Sequence, residues 1–186
     1  MLIIIKDETV LEKQLALNCL LILTSTYIGS HSIATEKNFF ILKEELNYRD
    51  ATIRKYIYEI FHGICSKDRD GILLINFYVI SLYTFSIIIL IINNYNSFFS
   101  NFIKGVNLFL SMNLYSLFMN KLKNESYELQ YSILNVLYFC IQHGRPSHIT
   151  TFLFDNLSLQ TFSKFLDPYI PAKLKIITEK CIMALW

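Results

Sequence analysis

Only five glycines and three prolines punctuate this chain of 186 residues, and that scarcity constrains the fold more than any other feature. A sheet-rich domain needs turn residues about every ten positions, and here long intervals carry none. Such uninterrupted stretches favour helices, even though abundant Ile, Tyr and Phe favour strands on propensity alone. The expected class is all-α. The length suits one domain with a sizeable core, or a short repeat array, so residues 1–186 read as a single domain.

Apolar spacing supports helices and adds a repeat. Ile53, Ile57, Ile60, Phe61 and Ile64 form the stripe of a half-buried helix. Similar stripes are Leu11, Leu15, Cys19 and Ile22; Phe98, Phe102, Val106 and Phe109; and Leu129, Ile133, Val136, Leu137 and Cys140. A less regular copy holds Leu174, Cys181, Ile182 and Leu185. The stripes start at 11, 53, 98, 129 and 174, at intervals of 42, 45, 31 and 45 residues. Three of these intervals fall in the window of about 40–47 residues that characterises HEAT and armadillo arrays.

A second helix precedes each later stripe, at residues 39–46, 79–92, 114–122 and 157–166, followed each time by a short polar turn. Residues 30–36 and 147–154 are candidates for a short first helix, and Gly29 and Gly144 stand where stripe helices should stop. Three helices per unit, the first short, is the armadillo layout. The expected architecture is therefore an armadillo/HEAT-like α-solenoid of about four repeats. The 31-residue interval leaves no room for a first helix between Phe109 and Leu114, so an irregular joint is expected there. All four cysteines (Cys19, Cys65, Cys140 and Cys181) lie late in stripe helices, a core position where a thiol acts as a small hydrophobe.

Composition excludes several function classes. Seventeen basic against fifteen acidic side chains, with no basic run, leave no electrostatic footprint for nucleic acid. Mean hydropathy is +0.38, so much of the chain meets a core, a partner or lipid. Residues 71–103 carry no charge, and residues 72–92 are long enough to span a bilayer. Asn76, Ser81, Thr84 and Ser86 interrupt that segment, and the repeat places a buried helix there, which accounts for it without a membrane. The N-terminal apolar run meets charge at Lys6, too early for a secretory signal. With no cysteine pairing motif, a reducing cytoplasmic setting is expected.

No phosphate-binding loop, metalloprotease motif, nucleophile elbow or paired-carboxylate cluster is present, so neither enzymatic activity nor a cofactor, metal or small-molecule substrate is expected. His143 and His148 flank the Gly144-Arg145-Pro146 break without an acidic or cysteine neighbour, which reads as a solvated loop. Stacked repeats offer instead a groove lined by the non-core positions of the stripe helices. By helical phase Arg54, Tyr58 and His62 share one face, with Gln130 and Tyr138 in equivalent places. These five are candidate protein-binding residues; the alternative is that they are ordinary solvated helix positions.

The run from Ile33 through Phe39, then Leu42 to Arg54 and Tyr58-Glu59-Ile60, resembles one armadillo unit. In order and loop length it is similar to the armadillo subunit of ciliary and flagellar radial spokes. Residues 114–122, 127–140 and 159–186 resemble the units that follow. That resemblance implies a structural subunit of an axonemal radial spoke, a scaffold binding other protein subunits of a larger assembly in the cilium or flagellum. Some 13 residues are missing near 109–114 relative to that family, which usually has more repeats, so a truncated form is one expectation. The Trp and Asn ladder of nuclear-import armadillo proteins is absent, since the sole Trp is Trp186. Alternatives are a generic cytoplasmic armadillo adaptor for an extended peptide, and a small membrane protein anchored through residues 72–92.

Overall fold

The computed structural model describes residues 9–81 (side chains through 67), 104–144, 147, 150 and 156–185. Among these the fold is all helical: α1 (Val10–Thr24), α2 (Tyr27–Ile33), α3 (Glu36–Glu45), α4 (Ala51–Ser81), α5 (Lys104–Ser111), α6 (Leu114–Leu122), α7 (Tyr127–His143), α8 (Asn156–Lys164) and α9 (Ala172–Ala184).

Helix starts follow from capping residues. Thr9 and Glu12 close a capping box on α1, and Thr26 and Thr35 accept from Gly29 N and Asn38 N to start α2 and α3. Asp50 Oδ1 accepts from Ile53 N at 3.0 Å at the start of α4. Gly29 is thus not a stop signal. It lies inside α2, where a Cβ would meet the Leu23 carbonyl at 2.1 Å, so glycine permits the sharp reversal after α1. The short first helix expected at residues 30–36 starts three residues earlier, and its end is set by the Thr35 cap of the next helix. Gly144 does follow the last residue of α7.

The long helices pack side by side, α1 on α4, α4 on α7, and α7 on α9. Residues 98–109 are expected to form a stripe helix between those at 53 and 129; residues 98–103 lie outside the described part, and α4 meets α7 directly. Val106 and Phe109, on α5, are fully buried. The starts Tyr27, Glu36 and Ala51 and the starts Lys104, Leu114 and Tyr127 then fall at nearly equal intervals. The joint expected to be irregular is the turn between α5 and α6. It is made by Asn113 in the left-handed region (φ 53°), a conformation that asparagine tolerates. The helix expected at residues 79–92 does not begin there, because α4 runs unbroken to Ser81; residues 82–92 lie outside the described part.

Two stripes behave differently. In α7, Leu129, Ile133, Val136, Leu137 and Cys140 are all buried as the spacing predicts. In α1 the predicted stripe faces outward: Leu11 and Ile22 are 66% and 63% exposed, Leu15 and Cys19 are exposed too, and Lys13, Leu17, Leu20 and Thr24 are buried instead. The helix is apolar almost all round, so periodicity does not choose a face. Packing chooses it, through the Lys13 ammonium held by both Glu45 carboxylate oxygens (3.0 and 3.1 Å) and through Thr24 against Gly63.

The core centres on a cluster of edge-to-face phenylalanines. Phe61 on α4 meets Phe39, Phe109 and Phe118 at 5.0, 5.6 and 5.5 Å, and Phe109 meets Phe118 at 4.9 Å. Each such contact adds about 0.5–1.5 kcal/mol beyond area burial, so these rings tie α3, α4, α5 and α6 together. Cys65, Cys140 and Cys181 are buried in the long-helix row, with the first two sulfurs 3.9 Å apart. Burial pushes the Cys181 thiol well above its ordinary range, with Cys140 adding to the shift.

Candidate protein-interaction surface

An open groove of about 990 Å³ runs across α1, α4, α7 and α9. Its walls include Lys55, Glu59 and His62 from α4 and Tyr131, Ser132 and Asn135 from α7, with the apolar Leu21 and Ile22 from α1. In the middle the Lys55 ammonium and Glu128 carboxylate pair across the two helices. That hydrogen bond raises the Lys55 pKa and lowers that of Glu128. Asn135 Nδ2 donates to the Tyr131 carbonyl at 2.9 Å, while the Tyr131 ring is 39% exposed. The His62 ring stands edge-on to Phe139 at 5.3 Å, and burial lowers its pKa, so the imidazole facing the groove is neutral near pH 7.

The five residues predicted to share a binding face do not do so. Tyr58 is fully buried and its hydroxyl donates to Glu125 Oε1 at 3.1 Å. Arg54 makes a two-pronged pair with the same carboxylate, Nε to Oε1 at 2.8 Å and Nη2 to Oε2 at 2.9 Å. Its remaining nitrogen, Nη1, donates to the carbonyls of Tyr48 and Arg49. The hydrogen bond to Glu125 raises the Arg54 pKa, and burial followed by the Glu125 charge pushes the Tyr58 phenol far above its usual range. This hub joins α4 to the turn before α7, so Arg54 and Tyr58 hold that turn against α4. Gln130 is also buried, with Nε2 donating to the Leu122 carbonyl at 3.0 Å, and Tyr138 packs on Phe139 at 5.2 Å. Of the five, only His62 lines the groove.

The error is one of phase. Residues 54 and 58 drift toward the neighbouring helix, whereas 55, 59, 62 and 66 lie opposite the 53, 57, 60, 64 stripe and form the groove wall. A helical wheel centred on the core stripe locates that wall. The expectation that His143 and His148 form a solvated loop is half outside the described residues: His143 is partly buried and stacks on Phe139 at 5.9 Å.

Among the described residues no group of three or more His, Cys, Asp and Glu side chains could hold a metal ion, and no helix is long and apolar enough to cross a membrane. Compared with protein-family models, curated proteins and solved structures, the chain matches none of them.

Proposed function

We propose that this protein is a non-enzymatic interaction scaffold, a short α-solenoid of the armadillo kind whose groove receives a protein partner. The observation that carries this reading is the groove itself, built from four successive long helices and lined by hydrogen-bonding side chains around the exposed Tyr131 ring. Its charges are mixed, with the Lys55–Glu128 pair at the centre. A phosphate backbone would need a basic stripe, so a polypeptide suits the lining better. The narrower placement, a structural subunit of an axonemal radial spoke in a cilium or flagellum, rests on sequence resemblance alone. A generic cytoplasmic adaptor would use the same groove. Anchoring through residues 72–92 has support only from their apolar length, and residues 82–92 are outside the described part.

The test is stepwise extraction of the tagged protein from its source cells, detergent first and high salt second, with identification of what co-elutes. Wild type is compared with Tyr131→Ala combined with Lys173→Glu, both on exposed groove positions. The scaffold reading expects release by salt together with defined subunits, and a partner yield reduced about tenfold in the double variant. An undiminished yield would overturn the groove assignment. Release by detergent alone, absent when detergent is omitted, would move the function to residues 72–92.

A further inference from the structure

On another flank of α7, turned toward α8, lies a separate pocket of about 260 Å³. Leu122, Phe165 and Ile170 give it an apolar lining, and the exposed Lys123 and Lys164 stand at its rim. No carboxylate lines it. Gln130 is 8% exposed and contributes to the wall. Its Nε2 donates to the Leu122 carbonyl, which fixes the orientation of the carboxamide, because a flip would set two oxygens against each other. Its Oε1 is enclosed, and no described residue donates to it. A buried acceptor without a donor is destabilising, and few occur in folded proteins.

We propose that this pocket anchors the tryptophan or tyrosine side chain of an acidic peptide segment. The indole N–H or phenol O–H donates to Gln130 Oε1, the ring covers Leu122, Phe165 and Ile170, and flanking carboxylates pair with Lys123 and Lys164. Three features select this occupant. The volume lies below the roughly 300–1,000 Å³ of ordinary small-molecule sites and suits one large side chain. The unmet acceptor disfavours Leu and Phe, which have no donor to offer. The two ammonium groups disfavour a Lys or Arg donor and favour acidic neighbours. Aromatic side chains seated in desolvated pockets dominate many protein interfaces. The proposal rests on the scaffold reading but uses residues distinct from those of the groove.

The experiment is fluorescence anisotropy on the full chain, with a labelled, terminally blocked peptide carrying one Trp between Asp and Glu residues. Saturable binding is expected, weakened about tenfold or more by Trp→Ala in the peptide. In the matching Tyr peptide, Tyr→Phe removes only the donor and should weaken binding about fivefold. Lys123→Glu with Lys164→Glu, on exposed positions that leave folding intact, should abolish binding, and 0.5 M salt should weaken it. Gln130→Met should reduce affinity for the Trp peptide but not for the Phe peptide; where that variant fails to fold, the lysine pair decides. Equal affinity for the Trp and Ala peptides, indifference to lysine reversal, or no saturation at millimolar peptide each overturns the proposal. Binding of indole-3-acetate without binding of the peptide would assign the pocket to a small aromatic acid instead. Absence of peptide binding while the groove variants still lose their partner would remove the pocket and leave the scaffold reading in place.

Discussion

The middle and the flanks of the long-helix row are built from similar sequence and end in opposite surroundings. Helix α4, through residue 67, has no exposed large hydrophobic side chain, because α1 and α7 cover its sides while the Phe39, Phe109 and Phe118 rings cover Phe61. Helix α1 is equally apolar, yet Leu11, Leu15, Ile22 and Leu23 face outward. At the other flank Tyr169, Ile176 and Met183 are 94%, 54% and 76% exposed beside or on α9. An apolar stripe therefore states that a helix can be buried, while the presence of a neighbour decides whether it is. Ion pairs follow the same division. The Arg54–Glu125 pair is enclosed, with side-chain exposures of 18% and 7%, whereas Lys55–Glu128 lies open in the groove.

This contrast can be broken most sharply at its centre. Phe61→Ala empties the hub of the phenylalanine cluster and should destabilise the fold by about 3–5 kcal/mol, read by chemical denaturation. Glu125→Ala should cost about 2–3 kcal/mol, less than a fully buried pair would, since Arg54 keeps two carbonyl acceptors while Tyr58 loses its partner. A Tyr58→Phe background should shrink that loss, and strict additivity would mean that the three groups are not coupled.

Gly63→Ala comes next and runs against helix propensity. A Cβ there would meet Thr24 Oγ1 at 2.5 Å and its Cβ at 2.8 Å, so the variant should lose about 1–2 kcal/mol instead of gaining from the better helix former. A gain would show that α1 can move off α4. Acid titration addresses the groove. Burial lowers the His62 pKa in the fold, so the unfolded chain takes up its proton first. The stability tied to this group is fully present above about pH 6.5 and is lost as pH falls through the folded-state value. Burial and the nearby Lys104 lower the His31 pKa as well. The His62 share is therefore isolated by His62→Gln, which should flatten melting temperature against pH below neutrality. The smallest effect belongs to the flank: Ile22→Ser should change stability by no more than about 0.5 kcal/mol. A larger loss in the isolated protein would mean that the α1 face is covered after all.

The candidate site was less legible than the fold, and single residues show why. Leu114 to Leu122 and the stripe from Leu129 to Cys140 were readable because they pack on more than one neighbour and their spacing has a single solution. Tyr58 was misread as surface because nothing in its own helix announces Glu125, which approaches from 67 residues away. Gln130 was singled out by helical phase as a groove position, and its place in a pocket depends on α8, which periodicity does not position.

Sequence alone determined the helical class, since so few Gly and Pro leave long stretches that satisfy their backbone as helix; the caps Thr9, Thr26, Thr35 and Asp50, seen in the structure, act within three residues along the chain and so are equally local. Tertiary structure decided which face of α1 is core and which polar side chains line the groove. Those choices turn on contacts between residues distant along the chain, Lys13 with Glu45, Thr24 with Gly63 and Arg54 with Glu125. The period of one helix carries no information about what approaches it, and burial depends on that approach.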